Sequence, residues 1–414
     1  MRVAVLGAGV IGVATAYELW CDGHEVVVLD RASEPASATS FANAGMVAPG
    51  HAYAWSSPKA PRTLLRALFR DDLALRFRFQ ADPQFWRWCW RFLHQCTSER
   101  AAANTRRKVA LCLYSQQRLH AVVADTGVAY GARAGGALYL YRDAAGLAEA
   151  AVKAQILRDR GVEVRAVTPD EAAAIDPVYR PVCDRFAGAL YAPGDESGDA
   201  RLFTRGLADW LTARGVEFRL CEAVTGTEAD RDGIVSVTTD QGRLAADAYV
   251  LALGCWSAAF GRRLGLDLPI YPIKGYSVTL PIEAGDNPPT LSGVDEDNLF
   301  AFANYGDRVR MTAIAEFAGW DTGHRPQDFA PMLKAARELF PTAGRYERPE
   351  YWAGLRPMTP HNLPLFGRGR LRNLWVNSGH GHMGWTWACG SARITADLIA
   401  GRAPEHDVSE LLVS

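Results

Sequence analysis

Residues 1–12 read Met1-Arg2-Val3-Ala4-Val5-Leu6-Gly7-Ala8-Gly9-Val10-Ile11-Gly12, and Val13-Ala14-Thr15-Ala16-Tyr17-Glu18-Leu19 follows directly. Residues 1–6 carry the apolar, partly β-branched run Val3–Leu6, the pattern of a short strand buried on both faces. The next run has helical composition, and Gly23-His24 closes it. Residues 25–29, Glu25-Val26-Val27-Val28-Leu29, form a second apolar strand that ends on Asp30. Strand, glycine turn, helix and strand therefore fall in register as a dinucleotide-binding unit. Gly7 permits the tight turn, Gly9 lets backbone approach a pyrophosphate, and Gly12 lets the helix pack close to the strand. The helix N-terminus offers amides and partial positive charge to phosphates. Asp30 stands where a carboxylate accepts hydrogen bonds from ribose hydroxyls, and an acid there disfavours a 2′-phosphate.

Beyond this unit, Thr39-Ser40-Phe41-Ala42-Asn43-Ala44-Gly45 supplies small and hydroxylated residues suited to close passage along a cofactor. Residues 215–220, a hairpin over 233–246 and the buried strand 247–254 read as a sheet returning to the first unit. Near the far end, the strand 373–377 runs into Ser378-Gly379-His380-Gly381-His382-Met383-Gly384-Trp385-Thr386 and then a helix over 388–399. This is a second glycine-rich strand-to-helix turn. A helix N-terminus here can stabilise negative charge on a reduced flavin ring. A nicotinamide enzyme has no use for such a closing element, so the expected cofactor is FAD, held non-covalently.

The bulk numbers set outer limits. The chain has 414 residues, enough for two domains, and 49% hydrophobic content. Its net charge of −1 gives no electrostatic footprint for nucleic acid. Its 8 cysteines are scattered without a C-x-x-C pair, which argues against zinc, iron–sulfur clusters and a disulfide scaffold, so no metal is expected and the compartment reads as reducing. No signal peptide and no run of about 18 apolar residues is present.

Taken in order, the N-terminal fingerprint, Thr39-Ser40 with Asn43-Ala44-Gly45, Lys274-Gly275-Tyr276-Ser277, Gly354-Leu355-Arg356-Pro357-Met358-Thr359-Pro360 and Gly379-His380-Gly381 carry a resemblance. The chain resembles the D-amino-acid oxidase superfamily, and within it the bacterial D-amino-acid dehydrogenase small-subunit group, over residues 1 to about 401. The resemblance implies an α/β (α+β) fold: a glutathione-reductase-like FAD-binding Rossmann domain with an interleaved antiparallel-sheet substrate domain. The expected boundaries are 1–45, 145–260 and 350–401 for the FAD domain and 46–144 and 261–349 for the substrate domain. The implied reaction is oxidative deamination of D-amino acids to 2-oxo acids and ammonia, with electrons passed to a quinone-type acceptor. By position, Gly7, Ala8, Gly9, Val10, Ile11, Gly12, Asp30, Arg31, Thr39, Ser40, Asn43, Ala44, Gly45, Met46, Val224, Gly254, Gly379, Gly381, Gly384, Trp385 and Thr386 would contact FAD. One departure from the family pattern is His382, bulkier and more polar than the turn leads one to expect.

An α-amino acid needs a cation for its carboxylate, acceptors for its amine and a Cα–H aimed at flavin N5. Arginine meets a carboxylate bidentately, and Arg356 lies in a proline-bounded segment that would fix it, so Arg356 is the expected carboxylate clamp. Tyr276 is a candidate second donor, Lys274 a candidate neighbour of the flavin, and His380 a candidate for the amine or a flavin carbonyl; packing, solvation and capping are the plain alternatives. No dedicated base is required if the amine arrives neutral.

Residues 49–96 differ in composition. Tyr53, Trp55, Phe69, Phe77, Phe79, Phe85, Trp86, Trp88, Trp90 and Phe92 are interleaved with Arg62, Arg66, Arg70, Arg76, Arg78, Arg87 and Arg91. On a helix, Trp86, Trp90 and Leu93 share one face and Phe85, Trp88 and Phe92 another, with Arg87 and Arg91 between. One reading is a helix buried in the substrate domain. The other is peripheral contact with the cytoplasmic side of the inner membrane, serving quinone. Tyr53 and Trp55 sit in a loop that could serve as an active-site lid. Other functions carried forward are a glycine or secondary-amine oxidase, a D-proline or D-hydroxyproline dehydrogenase, and a non-catalytic flavin-binding subunit.

Overall fold

The computed structural model describes residues 1–67 and 75–413, so Phe69 and Arg70 of the aromatic stretch lie outside it. Arg2–Leu6 pairs in parallel with Glu25–Leu29 on one side and Ala248–Leu251 on the other. Glu217–Arg219 and Leu374–Ser378 extend this sheet in parallel, and Leu365–Arg368 closes one edge antiparallel. Alternation explains why residues 3–6 are uniformly apolar. Val3 and Val5 face helices Val10–Cys21, Ala200–Thr212 and Gly384–Ile399, while Ala4 and Leu6 face the hairpin strands and helix Ser257–Arg263. Both faces are core, so no polar residue is tolerated.

A second sheet runs in the order 350–358, 271–281, 308–317, 300–304, 292–295, 137–141, 188–192, 165–167, with Leu75–Phe77 joined to the side of Arg308–Phe317. Its pairings are antiparallel except Leu75–Phe77 with Arg308–Phe317 and Ala137–Tyr141 with Ser292–Asp295. Helix Ala330–Leu339 packs on it through Met332, Ala336 and Leu339. The fold is thus the expected dinucleotide domain joined to a mainly antiparallel second domain.

Sheet membership differs from the expected boundaries in two places. Strands Arg165–Val167, Gly188–Ala192 and Glu350–Met358 belong to the second sheet, although 145–260 and 350–401 were assigned to the first. These strands are short or largely buried, and a buried run carries no mark of which sheet it joins. Helix Ser98–Thr126, placed with the second domain, packs along Gly384–Ile399 of the first and adds Leu119 and Val122 to its core.

The aromatic stretch forms helix Pro83–Gln95, capped by Asp82. Phe85, Trp88 and Phe92 are buried against Tyr271, Ile273, Phe317 and Met358. Trp86, Trp90 and Leu93 are exposed on the other side, and Arg87 and Arg91 both bind Asp267. No helix among the described residues is long and apolar enough to cross a membrane.

Candidate active site

One cavity of about 920 Å³ separates the two sheets, and both glycine turns open onto it. Gly7, Gly9, Val10 and Ile11 of the first turn and His380, Gly381, Gly384, Trp385 and Thr386 of the second all line it. Hydrogen bonds tie the second turn to residues 43–46. Trp385 Nε1 donates to the Gly45 carbonyl at 3.2 Å, Thr386 Oγ1 to the Met46 carbonyl at 3.1 Å, and Gly45 N to Asn43 Oδ1 at 2.9 Å. Ser40 Oγ meets Val10 N at 3.1 Å at the start of the first helix, and Thr39 Oγ1 donates to the Leu355 carbonyl at 2.6 Å. The stretch 39–46 therefore joins the first turn, the last turn and the second sheet. The closing helix starts at Gly384 rather than 388, so its first amides lie at the cavity wall.

The glycines are dictated by contact. Gly7 has φ +111° and a Cβ there would lie 2.6 Å from the Ala252 carbonyl oxygen. A Cβ on Gly12 would lie 1.8 Å from the Gly7 carbonyl oxygen, which is the close helix–strand packing expected. On Gly9 the nearest atom is Ser40 Oγ at 3.5 Å, so that side opens toward the cavity. Asp30 is oriented by two amides, Ala8 N at 2.7 Å and Ala32 N at 2.9 Å. Arg31 stacks over Trp256 at 4.2 Å, and both line the cavity together with Val224 and Gly254. Ala8, Gly12 and Gly379 sit just behind the lining rather than in it. Among the described residues, three lining residues hold buried polar atoms without a protein partner: Tyr53 at its hydroxyl, Asn377 at Oδ1 and His380 at Nε2. A cavity of this volume lined by two glycine turns, an oriented acid and unpartnered polar atoms fits a flavin dinucleotide.

The wall around Arg356 is built on a β-bulge. Strands Tyr271–Pro281 and Arg308–Phe317 slip between Gly275 and Tyr276, leaving Ile314 without a ladder partner and at φ +65°. A β-branched residue there is strained, and such strain persists only where the surroundings enforce it. The Ile314 carbonyl accepts from Arg356 Nη1 at 2.9 Å. Beneath the guanidinium lies Gly275, where a Cβ would come within 2.5 Å of Arg356 Cζ. Arg356 is half-buried at the cavity wall, with no carboxylate in ion-pair range among the described residues; desolvation pushes it down to about 10. Ile314 and Gly275 were not legible as site residues, since neither carries a functional group.

The other candidates divide. Tyr276 lines the cavity, but its hydroxyl donates to Glu316 and is committed there. Lys274 sits within strand Tyr271–Pro281 and is outside the lining; its ammonium binds the Gly323 carbonyl and faces Asp321 at 3.4 Å and Glu316 at 3.7 Å. Burial and ion pairing account for Lys274 without the flavin. Tyr53 lines the cavity with its buried hydroxyl unpartnered and Lys153 over its ring at 4.2 Å. The loop read as a lid is held at several backbone positions: Gly50 N by Asp195, Ala54 N by Thr105, and Trp55 N and Ser56 N by Asn362. His51, bonded to Glu296 at 2.6 Å, and His382 also line the cavity and were not among the expected site residues. Among the described residues no group of His, Cys, Asp or Glu could hold a metal.

A family profile for FAD-dependent oxidoreductases matches residues 2–398. The chain belongs to the FAD-dependent oxidoreductase family. Within this family, a protein named D-amino acid dehydrogenase 2 from Mesorhizobium japonicum is 44% identical, with 100% of this chain and 99% of the relative aligned. A protein named D-amino acid dehydrogenase from Paramagnetospirillum magneticum is also 44% identical, over 97% of this chain and 96% of the relative. Among solved structures, glycine oxidase from Geobacillus kaustophilus superposes with a TM-score of 0.78 at 24% identity, covering 100% of this chain and 98% of that one. FAD is accordingly the cofactor of this protein.

Burial in the family's cleft has a pH consequence. His380 is 2% exposed and burial drives its pKa down to about 3, so the unfolded chain takes up its proton first as pH falls. Its contribution is present above about pH 6.5 and is lost progressively toward about pH 3. Asp195 runs the other way: burial raises it to about 7, and its contribution fades as pH rises through that value. Comparing His380→Gln with the parent chain cancels Asp195. Urea unfolding should show an acid slope shallower by about 1.4 kcal/mol per pH unit between about pH 6 and 4. Equal slopes would mean that His380 is solvated or paired.

Proposed function

We propose that the chain is a D-amino-acid dehydrogenase, oxidising the substrate at Cα to an imino acid that water converts to a 2-oxo acid and ammonia. The observation that carries this reading is Arg356, a guanidinium at the cavity wall with no acidic partner among the described residues. An anion is the ligand such a cation calls for, and its fork suits a carboxylate. The names of the Mesorhizobium and Paramagnetospirillum relatives support the amino acid as the carboxylate's owner.

Bound FAD supplies the hydride acceptor. The protein's own part is to bind and orient. Arg356 fixes the carboxylate, the Ile314 carbonyl and Gly275 fix Arg356, and the walls exclude water from Cα. Tyr53 and His380, each with an unpartnered buried polar atom, are placed to hold the amine or a flavin carbonyl. Gly7, Gly9, Asp30, Arg31, Ser40 and Thr386 form the cofactor contacts of this reading.

Quinone is the proposed acceptor, reached at a membrane surface. Supporting this are Trp86, Trp90 and Leu93, exposed side by side on helix Pro83–Gln95. Interfacial sites favour tryptophan. The deciding experiment is anaerobic flavin bleaching with a panel of D- and L-amino acids, followed by turnover with quinone in anionic vesicles or with oxygen. Bleaching by D-enantiomers alone and turnover with quinone are expected. Bleaching by L-enantiomers would overturn the stereochemistry, and stoichiometric peroxide in air would overturn the acceptor.

A further inference from the structure

His382 and a lysine with no acidic neighbour stand together behind the substrate end. Lys108, on helix Ser98–Thr126, is 0% exposed. Its Nζ donates to the Tyr53 carbonyl at 2.6 Å, lies 3.4 Å from His382 Nε2 and sits over the Trp387 ring at 5.6 Å. No carboxylate is in ion-pair range of it among the described residues. A buried ammonium without an anion is costly, and a carbonyl alone does not offset that cost. His382 stacks flat on Trp55, with ring centroids 4.4 Å apart, and lines the cavity alongside Arg356. Its Nε2 faces Lys108, and it makes no other side-chain hydrogen bond among the described residues.

We propose that His382 and Lys108 form a proton relay that takes one proton from the ammonium group of the bound substrate. The proposal rests on the amino-acid reading of the site. A substrate N–H bond breaks and its proton passes to His382 Nδ1. The Nε2 proton moves to the lone pair of neutral Lys108, leaving a neutral imidazole and a lysine ammonium. Nothing is oxidised or reduced in this step. It leaves the amine lone pair free to assist hydride departure from Cα, the form that a neutral amine would otherwise have to bring from solution. Charge balance favours the timing. Arg356 and His51 are the charged or titratable groups that face His382 besides Lys108 itself, and Lys153 and Cys112 are those that face Lys108. The incoming carboxylate neutralises Arg356, which makes a proton on the pair less unfavourable. Burial already lowers Lys108 to about 7, so much of it is neutral when substrate arrives at that pH.

The test compares the intact flavoenzyme with Lys108→Met and Lys108→Arg. Anaerobic flavin reduction should fall about tenfold or more near pH 7.5 in both variants and recover toward about pH 10, where the free amine is already neutral. Arginine keeps a cation and the bond to Tyr53 but cannot accept a proton, so a purely structural lysine would be rescued by it. Wild-type behaviour in Lys108→Arg, or an unshifted pH profile in both variants, overturns the relay. If Lys108→Met fails to retain flavin, Lys108→Arg decides alone. Binding of propionate, read from the flavin absorbance, should be unchanged in both variants because it carries no ammonium. Weakened propionate binding in Arg356→Leu is the separate check on the amino-acid reading, so the two can fail independently.

Discussion

Arg356→Leu should raise the KM for a D-amino acid by about a hundredfold to a thousandfold, through loss of charge-assisted hydrogen bonds each worth about 1.5–3 kcal/mol. FAD should stay bound, because Arg356 is anchored on the second sheet at the Ile314 carbonyl and the dinucleotide turns belong to the first sheet. Stability gives the sharper signature. Most losses of a buried charge destabilise a protein by stranding its partner. Among the described residues there is no acidic partner to strand, since Arg356 bonds to the Ile314 carbonyl there and is pushed down by desolvation. Leucine should therefore melt at the same temperature or higher, while affinity for substrate collapses. Gly275→Ala probes the same seat from below: its methyl would intrude on Cζ, shifting the fork and raising KM with kcat less affected. A melting temperature that falls sharply in Arg356→Leu, with KM unchanged, would make the arginine a structural residue.

The contrast between Arg356 and Lys274 shows where sequence reading succeeds and stops. Both are basic residues in motifs that resemble the family's. Only Arg356 reaches the cavity, because its side chain crosses Gly275 of the adjacent strand to a carbonyl freed by the bulge one strand further on. Lys274, one strand away, is turned onto Glu316 and Asp321. The difference lies in register, and a one-residue slip reverses which face a side chain occupies. Register is a property of two strands, and neither strand states it alone. The same holds for Tyr276, whose hydroxyl is claimed by a glutamate 40 positions later in the chain. By contrast, the dinucleotide unit was legible because its strand, turn, helix and acid are contiguous. Their spacing alone sets the geometry, as the paired strands Arg2–Leu6 and Glu25–Leu29 confirm. The second turn was legible for the same reason, and its helix merely starts four residues sooner. Lys108 was invisible: in a helix of 29 residues nothing local says which face is buried.

Gly9→Ala and Gly12→Ala separate cofactor contact from fold within one turn. Gly12 packs so closely on the Gly7 carbonyl, 1.8 Å from an added Cβ, that backbone must move. Overpacking of this kind should destabilise the domain by about 3 kcal/mol and empty it of flavin together. Gly9 is different. It has φ −73°, a conformation open to any residue, and an added Cβ meets only Ser40 Oγ at an ordinary 3.5 Å. The folded apoprotein should tolerate alanine there without a measurable change in melting temperature. What the methyl does occupy is the approach to the first helix, where the pyrophosphate must come close to backbone amides. Gly9→Ala should thus lose FAD affinity about a hundredfold, roughly 3 kcal/mol, read from flavin absorbance per protein after dialysis and from titration of apoprotein. Two outcomes are informative. If Gly9→Ala holds a full complement of FAD, the pyrophosphate does not lie on that turn. If it unfolds as Gly12→Ala does, the turn is a packing element first, and the open side of Gly9 is not the door to the cofactor.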